Sequence, residues 1–230
     1  MQPAFSLPQP LIPIAGSELG FPVRRIYCVA RNYAEHAREM GGTGREAPFF
    51  FTKPADAVLP VVGGATGRMA YPQKTADLHH EIEMVVAIGK AARDIDATAA
   101  NAHIFGYAVG LDMTRRDLQA ELKKQCRPWD IAKGFDQSAP VGAIRPVSAV
   151  GHPARGTIKL EVNGVERQRG DLSDMIWSVP EIVAILSSYF ELRPGDLIFT
   201  GTPAGVGAVS RGDRLAGSID GVGELSVVIE

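Results

Sequence analysis

Glycine and proline recur so densely along this chain, 25 and 16 times in 230 residues, that long uninterrupted helices are excluded over most of it. What remains between them are short apolar runs. "RRIYCVA" (Arg24 to Ala30), "PFFFT", "EIEMVVAIG", "GYAVGLD", "IKLEVNG", "GDLIFT" and "ELSVVIE" each read as a strand, and Asn163-Gly164 reads as a hairpin turn. Helices are few and announced by their caps. "NYAEHAREMGG" opens on Asn32 and Glu35, "TRRDLQAELKKQ" on Thr114 and Asp117, and "SVPEIVAILSSYF" on Ser178 and Glu181 with Pro180 in the first turn. The expectation is a mixed architecture in which β structure dominates. Residues 1–22 read as an extended, proline-rich arm, and 23–230 as one large domain.

Composition narrows the partners. A net charge of −2, with charges spread along the chain, lacks the footprint of a nucleic-acid or anionic-membrane binder. A small molecule or another copy of the chain is the expected partner. No apolar run approaches membrane-spanning length, and the first residues lack a basic segment followed by a compact apolar one, so the expected compartment is the cytoplasm. Cys28 and Cys126 read as free thiols in a reducing compartment.

The stretch "LHHEIEMVVAIG" carries the first chemical signal. With a period of two it sets Glu81 and Glu83 on one strand face about 7 Å apart, and Ile82, Met84, Val86 and Ile88 on the other. The carboxylate face continues as Val85 and Ala87, which argues against a solvated surface, and a buried pair needs neutralising. Asp112 ends "GYAVGLD" on a face shared with Gly106, Ala108 and Gly110, small residues that would leave room for an ion and a ligand. Three carboxylates without a nearby thiolate make an all-oxygen site for a hard divalent cation with open positions, closer to Mg²⁺ or Mn²⁺ than to a closed Ca²⁺ cage. A general acid/base pair and a polar strand face remain the other readings of the same residues. His79 and His80 point to opposite faces, so at most one could join the ligands, and each also reads as a structural histidine.

Other polar residues are informative together. His36 and Glu39 share one helix face, and a histidine held by a carboxylate is a usable base for water, although a surface pair has the same spacing. Lys53 in "FFFTKPADAV" and Lys133 in "PWDIAKGFD" are lone cations beside aromatic residues, where a lysine can equally snorkel. "FTGTPAGVG" follows a strand but lacks the ending of a phosphate loop; Thr202 and its backbone amides could instead meet a carboxylate or oxyanion.

The ordered set "IYCVARNYAEHAREMG", "FFFTKPADAV", "LHHEIEMVVAIGK", "GYAVGLDMTRRDLQ", "RPWDIAKGFD" and "GDLIFTGTPAGVG" resembles the signature segments of the fumarylacetoacetate hydrolase family, from about Arg24 to Glu230. Its short single-domain branch of acylpyruvases and fumarylpyruvate hydrolases is the nearest match. The resemblance implies an α+β, β-dominated fold, a mixed β-roll or sandwich with a few short helices, usually as a homodimer. It also implies Mg²⁺ or Mn²⁺ held by Glu81, Glu83 and Asp112, catalytic His36, Glu39 and Lys133, and substrate contacts from Arg116, Gln119 and Thr202. Arg31 and Lys53 fall in matching segments as further substrate-binding candidates. Gly134 stands where the family pattern has serine after Lys133, and Asp56 where a small polar residue is commoner.

The activity this implies is metal-dependent hydrolysis of the carbon–carbon bond of a 2,4-diketo acid. The wording of "DMTRRDLQ" and "LSDMIWSVPEIVA" resembles most the fumarylpyruvate hydrolases of gentisate-type aromatic catabolism, and a second substrate carboxylate would call for Arg31, Arg115 or Arg116. Oxaloacetate decarboxylation or tautomerisation through the same enolate is the enzymatic alternative. A metal-stabilised scaffold is the non-enzymatic one.

Overall fold

The computed structural model of the protein describes residues 2–35 and 45–230. Strands dominate and the helices are short, as the glycine and proline spacing predicts. The central sheet has the strand order Phe49–Lys53, Arg25–Ala30, Asp196–Phe199, Ile82–Ile88, Ile104–Leu111, Ala139–Val141, Val58–Pro60, with Arg145–Pro146 paired alongside Ile104–Leu111. A second, five-stranded sheet runs Val165–Asp171, Thr157–Val162, Arg214–Ile219, Gly223–Ile229, Thr66–Met69.

Alternation along the central strands explains why both faces of this sheet are buried. Ile82, Met84, Val86 and Ile88, with Tyr107, Val109 and Leu111 of the neighbouring strand, pack against Leu160, Leu215 and Val227 of the five-stranded sheet. Val85, Ala87, Ala108, Leu197 and Phe199 face the other way and form a smaller cluster with Cys28, Ile12 and Phe21. Burial on both faces turns the strand into a near-continuous apolar run, and only its Glu83 and the preceding Glu81 break it.

The arm is more than an extended strap. Leu11–Pro13 pairs with Gly20–Pro22, and Ala15 donates to the Ile144 carbonyl, so Ile12 and Phe21 close the smaller cluster. Asn163 and Gly164 both adopt positive φ, 54° and 76°, as the expected hairpin requires. Cys28 is buried and Cys126 exposed, and both are free thiols.

Two expected caps are corrected. The helix expected from Thr114 runs over Arg116–Lys124, because Thr114 belongs to a two-residue strand opposite His79. Asp117 meanwhile accepts from the Thr75 hydroxyl and the Ala76 amide as well as from Leu118. Asn32 does not cap a helix either: its side chain accepts from the Trp177 amide and donates to the Trp177 and Thr200 carbonyls. The rest of "NYAEHAREMGG" lies for the most part outside the described residues. The third cap is as expected, with the Glu181 carboxylate accepting from the Ser178 amide and hydroxyl ahead of Val179–Tyr189.

Gly110 shows how tightly the sheet is packed beside the site. A Cβ there would lie 2.5 Å from Val85 Cγ2 and 2.8 Å from Phe199 Cε1. Gly110→Ala is therefore expected to lower stability by about 1–3 kcal/mol, read as a lower urea midpoint with unchanged slope. A wild-type midpoint would mean that the ring of Phe199 yields without cost.

Candidate metal and substrate site

The site grows from one antiparallel pairing. Ile82 lies opposite Leu111 and Glu83 opposite Gly110, and the Asp112 amide donates to the Glu81 carbonyl at 2.8 Å. Glu81 and Asp112 are thus cross-strand neighbours just beyond the strand ends, with Glu83 two residues inward on the same face. Carboxylate oxygens of the three, one from each residue, lie within 4.8 Å of one another, and all three residues are buried. The small residues near Asp112 do not provide the room anticipated from sequence, since Val85 and Phe199 fill the space over Gly110 and the Arg145 carbonyl sits against Gly106. The opening lies instead beyond the strand ends.

Among the described residues, three cations meet these carboxylates. Lys133, on the short helix Asp130–Lys133, donates to Glu81 Oε2 at 2.9 Å and Asp112 Oδ2 at 2.7 Å. Lys53 Nζ lies 2.8 Å from Asp112 Oδ1 and donates to the Met113 and Lys133 carbonyls, so it is fully enclosed. Arg116 donates to Glu81 Oε1 through Nη2, to Gln119 Oε1 through Nη1 at 2.5 Å, and to His79 Nδ1 through Nε at 3.4 Å. Burial, reinforced by the charges of Asp112 and Glu81, pushes the Glu83 carboxyl well above its usual range. Burial works against the Lys133 ammonium as well, but Asp112 and Glu81 outweigh it and raise its pKa.

The glycine-rich turn after Asp196–Phe199 closes the site from the side. Gly201 donates to Glu83 Oε2 at 2.7 Å; its φ of 96° and the Asn32 Cβ, which would lie 2.6 Å from an added Cβ, make glycine necessary there. Thr202 Oγ1 accepts from Gln168 Nε2 at 2.8 Å, which leaves the proton of its hydroxyl available. Gln168 was not singled out in sequence, yet it is buried and also binds the Ile82 amide, His80 Nδ1 and the Pro203 carbonyl. Both histidines of "LHHE" are structural: His80 is held by Gln168, and His79 by Asp77 and Arg116.

Arg31, Arg116, Gln119, Lys133 and Thr202 line the same cleft as Glu81, Glu83 and Asp112, while Lys53 stands behind Asp112. Phe51 and Trp129 complete its wall, two aromatic residues that sequence reading left without a role. His36 and Glu39 lie outside the described residues. A cavity of about 390 Å³ between Val61, Ala65 and the outer face of the five-stranded sheet is farther from this chemistry, and among the described residues no second cluster of metal-ligating groups exists.

The residues present fit a hard divalent ion. They supply three carboxylates in mutual reach, and Asp112 Oδ1, although close to Lys53, lies outside hydrogen-bonding angles and keeps an unfilled lone pair in the interior. Because the pKa of Glu83 is raised by folding, its contribution to stability is fully present below about pH 4 and is lost as pH rises toward the folded pKa. In chelator, Glu83→Gln is therefore expected to melt above wild type at pH 8, with the gap closing toward pH 5, and to lose the rise in melting temperature that Mn²⁺ gives the wild type. Parallel melting profiles for the two proteins would contradict this electrostatic account.

Comparison with known proteins agrees with the geometry. The model of the fumarylacetoacetate hydrolase C-terminal family matches residues 25–230. A crystal structure of fumarylpyruvate hydrolase from Pseudomonas aeruginosa in complex with Mn²⁺ and pyruvate superposes with a TM-score of 0.97 at 57% identity, covering 99% of each chain. A fumarylpyruvate hydrolase from a Ralstonia species is 45% identical over 80% of this chain and 93% of its own. Oxaloacetate tautomerase YcgM of Escherichia coli is 39% identical over 90% and 93%. The buried triad and the sequence segments that build it thus occur together in a chain that belongs to the fumarylacetoacetate hydrolase family.

Proposed function

We propose that this protein hydrolyses fumarylpyruvate to fumarate and pyruvate with Mg²⁺ or Mn²⁺ as cofactor. It is a hydrolase acting on carbon–carbon bonds in ketonic substances. The observation that carries the choice of substrate is the 57% identity, at a TM-score of 0.97, to a fumarylpyruvate hydrolase whose structure holds Mn²⁺ and pyruvate.

The chain's own groups divide the work. An ion held by Glu81, Glu83 and Asp112 would supply Lewis-acid stabilisation of negative charge on the substrate. His36, oriented by Glu39, takes a proton from water, and the resulting hydroxide adds to the carbonyl carbon farther from the pyruvate carboxylate. The bond between that carbon and the neighbouring methylene breaks; its electron pair becomes the enolate of pyruvate, which is then protonated, and the added oxygen stays with fumarate. Lys133, kept protonated by Asp112 and Glu81, donates to substrate oxygens together with the Gln119 amide and the Thr202 hydroxyl. Arg116 holds Glu81 and Gln119 in place and faces the carboxylate next to the keto group, and Lys53 fixes Asp112.

Oxaloacetate tautomerisation is the second reading, favoured by relatives such as YcgM at 39% identity. It would use the same enolate stabilisation without an attacking water. Loss of the ultraviolet absorbance of fumarylpyruvate, run beside oxaloacetate with Mn²⁺, Mg²⁺ or chelator, separates the two. Metal-dependent formation of fumarate and pyruvate is expected; consumption or tautomerisation of oxaloacetate alone, with fumarylpyruvate intact, would overturn the hydrolase reading. Lys133→Ala is expected to lower kcat by about 10² to 10³ in the metal-loaded protein, and near wild-type turnover would remove the lysine from the mechanism. His36→Ala is expected to keep metal binding and lose hydrolysis.

A homodimer in the cytoplasm completes the proposal. Phe5, Leu7 and Leu19 of the arm are exposed by 73%, 79% and 72%, which suits burial against a second copy. No described helix is long and apolar enough to cross a membrane. A solution mass of one chain by light scattering would contradict the dimer.

A further inference from the structure

The cleft lining also includes Arg31, which a series of aromatic rings connects to Lys133 beside the carboxylates. Arg31 follows directly on the strand Arg25–Ala30 and holds a φ of 57°, a left-handed conformation uncommon for a residue with a side chain. Its backbone is pinned there because the next residue, Asn32, is anchored to Trp177 and Thr200. The guanidinium it carries into the cleft makes no ion pair among the described residues, and its Nε is buried without a hydrogen-bond partner. A backbone held off its preferred region to aim an unpartnered cation is a feature that stability does not explain.

The other described cations near the cleft each already have a partner in the protein. Arg116 spends Nε, Nη1 and Nη2 on His79, Gln119 and Glu81. Lys133 bridges Glu81 and Asp112, and Lys53 is enclosed behind Asp112. Arg115 Nε is also buried without a partner, but its Nη1 donates to the Ile131 carbonyl and its guanidinium stacks 4.4 Å over Phe135, outside the cleft lining.

An aromatic wall joins Lys133 to Arg31. Lys133 Nζ lies 5.1 Å from the Phe51 ring, Phe51 packs against Trp129 at 6.0 Å, Trp129 against Phe49 at 5.4 Å, and the Arg31 guanidinium lies 5.8 Å from the Phe49 ring. Phe49 and Phe51 share one face of their strand because residues two apart do. Polar groups that grip oxygen atoms at one end, a flat apolar wall, and a lone guanidinium at the other suit a substrate with a conjugated carbon chain and a carboxylate at each end.

We propose that Arg31 receives the far carboxylate of a dicarboxylic diketo acid, with Phe49, Phe51 and Trp129 flanking the unsaturated carbons, and so sets the preference for a fumaryl over an acetyl group. The inference rests on the hydrolase reading and specifies its substrate class. A planar guanidinium can bind a carboxylate through two parallel hydrogen bonds, and a charged pair of this kind is lost entirely with a substrate that ends in a methyl group.

The test is the ratio of kcat/KM for fumarylpyruvate to that for acetylpyruvate, measured with Mn²⁺ for wild type, Arg31→Gln, Arg31→Lys and Arg31→Gly. Glycine adopts the left-handed backbone without strain, so Arg31→Gly guards against misfolding, and melting temperatures report on all four proteins. The ratio is expected to fall about 10- to 100-fold in Arg31→Gln and Arg31→Gly, mainly through the KM of fumarylpyruvate, with Arg31→Lys in between. A ratio within twofold of wild type in folded variants, or an equal loss on both substrates, would overturn the role of Arg31 while leaving the hydrolase reading intact. A wild-type enzyme that hydrolyses neither diketo acid would overturn both.

Discussion

The register between Ile82–Ile88 and Ile104–Leu111 is the constraint on which the rest depends. With Ile82 opposite Leu111, the pleat sends Ile82, Met84 and Val86 into the larger core and leaves Glu81, Glu83 and Asp112 together on the other face. A slip of one residue would drive two carboxylates into that core and turn isoleucine and methionine toward the cleft, so the packing that stabilises the sheet also fixes the site. The fit of Val85 and Phe199 over Gly110 makes the register still more specific.

This arrangement concentrates charge in the interior. Three carboxylates are met by Lys53, Lys133 and Arg116, and burial together with the charges of Asp112 and Glu81 still raises the pKa of Glu83. Buried ion pairs of this kind add little to stability because desolvation offsets most of the attraction. Their presence is better explained by chemistry: they hold oxygen ligands in a fixed cluster, keep one lysine protonated beside it, and orient Gln119 through Arg116.

Much of this was legible in the sequence, for physical reasons that differ by residue. Period-two alternation revealed the facing of Glu81, Glu83 and Asp112, since each strand reports its own pleat. Lys53 and Lys133 were ambiguous singly, because snorkelling and burial give the same local pattern; the pairing of Phe49–Lys53 with Arg25–Ala30 and the short helix Asp130–Lys133 bring them to Asp112. Asn32 was misread as a cap because an asparagine ahead of a helical pattern carries no mark of a partner 145 residues away. Gln168 was missed on a hairpin strand whose other residues are exposed or half-buried, although burial at that single position inside "VERQRGD" is what lets it tie His80, Ile82 and Thr202 together. The left-handed backbone of Arg31 has no sequence signal at all.

The central claim is that the buried carboxylates are a metal centre and not simply a salt-bridge cluster. Crystals grown metal-free and soaked in Mn²⁺ would decide this by anomalous scattering at the manganese edge. The account predicts one peak about 2.0–2.4 Å from oxygens of Glu81, Glu83 and Asp112, with Lys133 no longer bridging Glu81 and Asp112. An empty anomalous map there, with Lys133 still spanning the two carboxylates at saturating Mn²⁺, would contradict it.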